Sequence, residues 1–176
     1  MDRAIFMDRD GTLIKLIENP TTKKMEPPRL PEQVEFCDYA IEFMKQFQEL
    51  GYKLYIISNQ PDIAKRKQTA KQIFEVRDRF QKMIDEQKII ITRYYYCYHH
   101  PEGTHPSYKK KCNCRKPAPG FIFFAKEQDN LDLEHSWIVG DKLTDLECGK
   151  NAGINGVHIG DGITLRDAYK AISGGV

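Results

Sequence analysis

The chain has 176 residues, 40% of them apolar, which is enough to bury a core in one domain over residues 1–176. Twenty-seven Lys and Arg against 25 Asp and Glu leave a formal net charge of +2, which argues against nucleic acid or an anionic membrane as the main partner. No apolar run approaches the ~18 residues of a membrane span, and the opening Met-Asp-Arg-Ala-Ile-Phe-Met-Asp-Arg-Asp is too charged for a signal peptide, so a cytoplasmic protein is expected.

Short apolar runs alternate with longer helical patterns, the signature of βα units stacked into a parallel sheet. Residues 4–7 form a first buried strand ending at Asp8. Residues 18–31 carry four prolines and no periodicity, and read as a long ordered loop. Ile41, Met44, Phe47 and Leu50 recur at helical spacing, with Gly51 as C-cap. Residues 53–57 form a second strand that runs into Ser58-Asn59-Gln60. A helix over 69–87 carries Ile73, Val76, Phe80, Met83 and Ile84 as a core stripe. Residues 93–97 are a third strand, in which Tyr94, Tyr95 and Tyr96 alternate as sheet packing.

Pro119 and Gly120 break the chain before a helix over 120–128. Strands follow at 136–140, ending at Asp141, and at 157–159, with helices at 143–152 and 165–172. The expected architecture is α/β: a Rossmann-like parallel sheet with helices on both faces.

Asp8, Ser58 and Asp141 each follow a strand directly. In an open parallel sheet that edge is where ligands bind, because loops and helix N-termini converge there. Asp8-Arg9-Asp10-Gly11-Thr12 sets two carboxylates two residues apart before a glycine. A carboxylate can attack phosphorus and form an acyl-phosphate, provided Mg²⁺ and a lysine neutralise the phosphate. Asp10 is placed for acid–base work, and Gly11 for a tight turn offering an N–H to the phosphate. Alone, the motif reads equally well as an acidic surface turn.

Gly140-Asp141-Lys142-Leu143-Thr144-Asp145 adds a second strand end bearing a carboxylate, with another four residues on. Oxygen ligands on a rigid strand end suit Mg²⁺, and Asp145 is expected to support the site rather than bind metal. Ser58, Asn59 and Gln60 offer groups that hydrogen-bond phosphoryl oxygens. Arg115-Lys116 supplies a guanidinium fork and an ammonium just before a helix.

Five cysteines without an export signal point away from disulfides. Cys97, His99, Cys112 and Cys114 make a three-thiolate, one-imidazole set suited to structural Zn²⁺. His99 is preferred to His100 because alternate residues of an extended segment share a face with Cys97. The polar, lysine-rich loop 102–111 cannot order itself by apolar burial, so a metal clip would fix it and position Arg115-Lys116. Cys37 and Cys148 are expected to be small buried hydrophobes.

In this order, each after a strand, the four segments resemble the haloacid dehalogenase superfamily of phosphatases, from Phe6 to about Ile159. The resemblance implies Asp8 as nucleophile, Asp10 as acid–base and Ser58 with Lys116 as the phosphoryl-stabilising pair. It implies Mg²⁺ held by the Asp8 side chain, the Asp10 carbonyl and Asp141, and no large cap domain. Cys-x-His-His-Pro with a long loop to Cys-x-Cys-Arg-Lys-Pro further resembles the heptose 1,7-bisphosphate 7-phosphatase and histidinol-phosphate phosphatase family. The loop length favours the heptose side, with a small phosphorylated sugar as substrate and Asn59, Gln60, Arg115 and Lys142 as its contacts.

Two segments depart from that pattern. Residues 13–31 replace a shorter Gly-Tyr-Val segment, and Pro61-Asp62-Ile63-Ala64-Lys65 replaces Ser-Gly-Ile-Ala-Arg. Two rivals remain: a polynucleotide 3′-phosphatase, and a zinc-ribbon module binding RNA through Tyr94-Tyr95-Tyr96 and Lys109-Lys110-Lys111. The absence of a cap permits a monomer.

Overall fold

The computed structural model describes residues 1–174. In chain order the elements are β1 (Asp2–Met7), a short hairpin of β2 (Ile17–Glu18) and β3 (Met25–Glu26), α1 (Ala40–Glu49), β4 (Lys53–Asn59) and α2 (Ala70–Glu86). Then come β5 (Arg93–Cys97), α3 (Gly120–Asp129), β6 (Leu131–Gly140), α4 (Leu143–Ala152), β7 (Asn155–His158) and α5 (Leu165–Ser173). Five strands pair in parallel in the order β5-β4-β1-β6-β7. Connections leave the central β1 toward β4 and β5, then return to β6 and β7 on the other side.

Each strand sends alternate side chains to opposite faces, and the two faces carry separate cores. On one, Ile5, Met7, Leu54, Ile56 and Val139 pack against Phe43 and Phe47 of α1, Val76 and Phe80 of α2, and Leu165 and Ala168 of α5. On the other, Ala4, Phe6, Tyr55, Ile57 and Ile138 meet Ile122 and Ala125 of α3 and Cys148 and Ala152 of α4. Helices therefore cover both faces of a parallel sheet, as the alternation of apolar runs and helical stripes predicts. Tyr94 packs against the first core and Tyr95 joins the second, while Tyr96 stacks between Tyr94 and Tyr98, so the alternation along the strand is the one expected of sheet packing.

Local signals fix the helix ends. Thr69 accepts from the Gln72 N–H at 3.3 Å while the Gln72 side chain accepts from the Thr69 N–H at 2.9 Å, a reciprocal cap that starts α2. Asn130 and Gly153 stop α3 and α4 in the left-handed region.

Three elements differ from expectation. The loop over 18–31 contains the β2–β3 hairpin, whose pairs are Ile17 with Glu26 and Glu18 with Met25. β6 begins at Leu131, five residues before 136, because Asp2 and Arg3 pair with Leu131 and Asp132 ahead of a register shift. β7 begins at Asn155, not 157. Cys148 is buried, whereas Cys37 is only half-buried, beside the outer cluster of Phe36 and Ile41.

Candidate active site

The C-terminal edges of β1, β4 and β6 bring the expected residues together. The Asp8 N–H donates to the Val139 carbonyl at 2.9 Å, which seats the start of the first motif beside β6. Gly11 turns at φ +86, and a Cβ there would collide with the Asp141 carboxylate, so only glycine allows the two motifs to approach this closely. Thr12 Oγ1 donates to Asp141 Oδ1 at 3.3 Å, and His158 Nε2 lies 3.0 Å from the Asp141 carbonyl.

Lys116 enters from the loop before α3, and its side chain is 2% exposed. Its ammonium lies 2.8 Å from Asp8 Oδ1 and 2.5 Å from Asp145 Oδ1, and donates to the Ile57 carbonyl at 2.7 Å. Burial alone would discharge each of these groups. For Asp8, burial works to raise the pKa, but the Lys116 and Lys142 ammonium groups outweigh it and bring the carboxyl down to about 2. For Lys116, burial pulls downward while Asp8 and Asp145 hold the pKa above its ordinary value. The carboxylate of Asp8 is thus held in its ionised form, desolvated and aligned by a fixed cation.

Asp145 is wholly buried, and besides Lys116 it accepts from the Lys142 N–H at 3.0 Å. It therefore braces Lys116 and the start of α4. Gly140 lies under it, and a Cβ there would strike the Asp145 carboxylate.

Asp10 is held by two groups. Arg9 donates to its two oxygens at 2.9 and 3.0 Å, and Gln60 donates to Oδ2 at 2.5 Å. Gln60 also donates to Ser58 Oγ at 2.9 Å. Ser58 is 1% exposed and sits behind Gln60, outside the lining of the crevice. Asn59 does line it, but its amide is committed to the backbone of Lys116, accepting from the N–H at 3.1 Å and donating to the carbonyl at 3.0 Å. Asn59 thus positions Lys116 from the crevice wall.

The crevice over these groups encloses about 400 Å³, within the range of small-molecule sites. Asp8, Asp10, Gln60, Arg115, Lys116 and Lys142 line it. Lys65 and Lys67 stand at its rim with Asp62 and Pro27, so both segments that depart from the heptose-enzyme pattern reach the opening.

The Lys142 ammonium lies 3.3 Å from Asp8 Oδ2, 3.2 Å from the Asp10 carbonyl and 3.2 Å from Asp141 Oδ1. Those are the three oxygens expected to hold Mg²⁺. They converge on one cation, and the donor set is all hard oxygen, so the site fits such an ion.

Cys97, His99, Cys112 and Cys114 gather at the end of β5. Their sulfurs stand 3.3, 3.3 and 3.6 Å apart, and His99 Nδ1 is 3.8 and 3.5 Å from Cys97 and Cys114. A tetrahedral zinc with Zn–S near 2.3 Å and Zn–N near 2.0 Å would separate its donors by roughly 3.5–3.8 Å, so the four can hold a metal ion. His100 is turned away, its Nδ1 accepting from the Glu102 N–H at 3.1 Å.

Arg9 is the functional residue that sequence reasoning missed. Its position between two aspartates gives no hint that it folds back onto one of them inside the protein. The stabilising tasks of Gln60 and Asn59 were equally hidden, because both depend on partners some fifty residues away in the chain.

A family model described as HAD-hydrolase-like matches residues 113–174. The chain is 32% identical to the D-glycero-beta-D-manno-heptose-1,7-bisphosphate 7-phosphatase of Photorhabdus laumondii, over 86% of this chain and 76% of that one. It is 33% identical to the D-glycero-alpha-D-manno-heptose-1,7-bisphosphate 7-phosphatase of the same organism, over 86% and 79%. Among solved structures, a HAD-like protein of Mesorhizobium loti superposes with a TM-score of 0.80 at 25% identity, covering 98% of this chain and 87% of that one. The fold also matches the D,D-heptose 1,7-bisphosphate phosphatase of B. bronchiseptica, solved with magnesium and phosphate, at a TM-score of 0.75, 17% identity and 99% coverage of both chains.

Proposed function

The chain belongs to the haloacid dehalogenase superfamily of phosphatases, and from that premise we propose that it is a Mg²⁺-dependent phosphomonoesterase acting through an aspartyl-phosphate on Asp8. Its proposed reaction is removal of the 7-phosphate of D-glycero-D-manno-heptose 1,7-bisphosphate. The observation that carries this reading is the Asp8 carboxylate itself. It is buried, ionised, 2.8 Å from a fixed ammonium and open to a crevice of small-molecule size.

Asp8 attacks phosphorus, and the bond from phosphorus to the sugar oxygen breaks. Asp10 gives its proton to that departing oxygen, then takes one from the water that attacks the acyl-phosphate and frees Asp8. Arg9 donates to both Asp10 oxygens and so holds the carboxyl in position for these transfers. Lys116 holds its positive charge beside Asp8, where it offsets the charge that builds on the phosphoryl oxygens in the transition state. Ser58 keeps Gln60, and through it Asp10, in place. Arg115 and Lys142 contact the rest of the substrate from the crevice wall, where a fork and a point charge suit phosphate or sugar hydroxyls.

Asp8, the Asp10 carbonyl and Asp141 would hold Mg²⁺, which when bound neutralises phosphoryl charge and orients the phosphate for in-line attack. Cys97, His99, Cys112 and Cys114 would hold Zn²⁺, which closes the loop before Arg115 and Lys116.

A phosphate-release screen over both heptose 1,7-bisphosphate anomers, histidinol phosphate and a 3′-phosphorylated oligonucleotide tests the substrate. Release from the heptose compounds, dependent on Mg²⁺, is the expected result, and preference for the oligonucleotide would overturn it. Asp8→Asn should abolish turnover on every substrate; retained turnover would remove the mechanism.

A further inference from the structure

We propose that Lys142 is a tethered competitor of the metal: its ammonium and the divalent cation occupy the same oxygen cradle in turn, so this side chain sets the protein's metal affinity. The inference rests on the proposed reading of the site as a Mg²⁺-dependent phosphatase.

The two buried-edge lysines are held in different ways. Lys116 is 2% exposed, and its three contacts run from 2.5 to 2.8 Å. Lys142 is 52% exposed at the side chain, and its three contacts run from 3.2 to 3.3 Å, longer than the ~2.7–2.9 Å of a tight charge-assisted bond. The first cation is fixed. The second can swing out to water at little desolvation cost, because half of it is already there.

Lys142 also contacts more than an ion pair requires. One of its three oxygens is the neutral Asp10 carbonyl, so the ammonium touches all three of the oxygens expected to hold the metal and not the carboxylates alone. The carboxylates of Asp8, Asp141 and Asp145 surround this space, with Lys116 as the other ammonium among them. Like charges at such range repel strongly in a partly buried site. Lys142 neutralises one of them, letting the four strand-end segments fold together before a metal arrives. Metal entry must then displace it, and that displacement is subtracted from binding.

Isothermal titration with MgCl₂ alone, at fixed pH and ionic strength and without substrate, measures the effect. Lys142→Met is expected to bind Mg²⁺ up to about fivefold more tightly, the upper scale of a partly exposed ion pair. Without metal the variant should melt below the native protein, and Mg²⁺ should raise its Tm by more. Lys142→Arg, which keeps the charge, should stay near the native affinity. Equal or weaker binding by Lys142→Met overturns the proposal, while binding by the native chain leaves the Mg²⁺ reading of the site standing. No binding by either protein overturns both.

A second measurement uses only the native protein. Acetylation followed by mass spectrometry should show Lys142 reacting faster when Mg²⁺ is present, with Lys116 unchanged. An acetylation rate at Lys142 that ignores Mg²⁺ would also overturn the proposal.

Discussion

Arg9 is 1% exposed, the largest of the fully buried side chains, and lies with its guanidinium 5.7 Å from the Tyr96 ring. A buried guanidinium is tolerable only where charge answers it, and Asp10 answers with both oxygens. Replacing it by methionine would leave the Asp10 carboxylate in the interior with Gln60 alone. Breaking one side of a buried pair costs about 3–5 kcal/mol, so Arg9→Met should lose stability on that scale in a urea titration. Its turnover should fall as well, since Asp10 would no longer be held at the proposed acid–base position. A variant as stable as the native chain would mean that the pair contributes nothing. At residue scale, then, the position of Asp10 is kept by a side chain buried beneath the crevice.

Among the elements, α3 is anchored at its C-terminal end by one carboxylate serving two strands. Asp129 accepts from Arg93 of β5 at 2.9 and 3.1 Å and from the Tyr55 hydroxyl of β4 at 3.0 Å. The Arg93 hydrogen bonds, opposed by partial burial and aided by Tyr55, hold its pKa below the ordinary 3.8. A carboxylate depressed in the folded state stabilises above its unfolded pKa and loses that contribution as pH falls through the folded value. Arg93 is 42% exposed, so solvent screens the pair, and Arg93→Ala should cost no more than about 1 kcal/mol at neutral pH. The Tm gap between variant and native protein should narrow below pH 3.8; a gap independent of pH would assign the cost to lost packing. Strands and helices of this kind were legible in the sequence because apolar periodicity declares them. The β2–β3 hairpin was not, since two residues per strand carry no period, and the first half of β6 hid behind Asp132, Glu134 and His135. Three of the candidate site segments were legible because each bears its own chemistry directly after a strand, and Arg115-Lys116 because it sets two cations before a helix. The contacts of Arg9, Asn59 and Lys142 were not, because convergence through space leaves no mark on spacing.

At the scale of the whole molecule, the four-donor cluster of Cys97, His99, Cys112 and Cys114 lies outside the crevice and yet adjoins, along the chain, the two cations that line it. Only Arg115 stands between Cys114 and Lys116 in the chain. The Lys116–Pro117–Ala118 stretch is tied down on every side. Asn59 of β4 grips the Lys116 backbone, Asn151 of α4 donates to the Pro117 carbonyl at 3.0 Å, and the Gly120 N–H donates to the Asn113 carbonyl at 2.8 Å. Two of these ties come from opposite halves of the sheet, and the third from the cluster's own loop. Lys116 therefore reaches Asp8 only if the loop that carries it has one conformation, and residues 102–111 have little apolar surface with which to choose one. Cys112→Ser removes one of the four donors without touching the crevice. Elemental analysis should show zinc in the native chain and its loss from the variant, and calorimetry should show a lower Tm, since a structural metal site contributes folding energy directly. Turnover should drop through misplacement of Lys116 while the Mg²⁺ requirement persists, because Asp8, Asp10 and Asp141 follow the ends of β1 and β6, away from the clip. Unchanged zinc content in the variant would show that the cluster does not bind the metal, and unchanged turnover after zinc loss would show that Asn59 and Asn151 hold Lys116 by themselves.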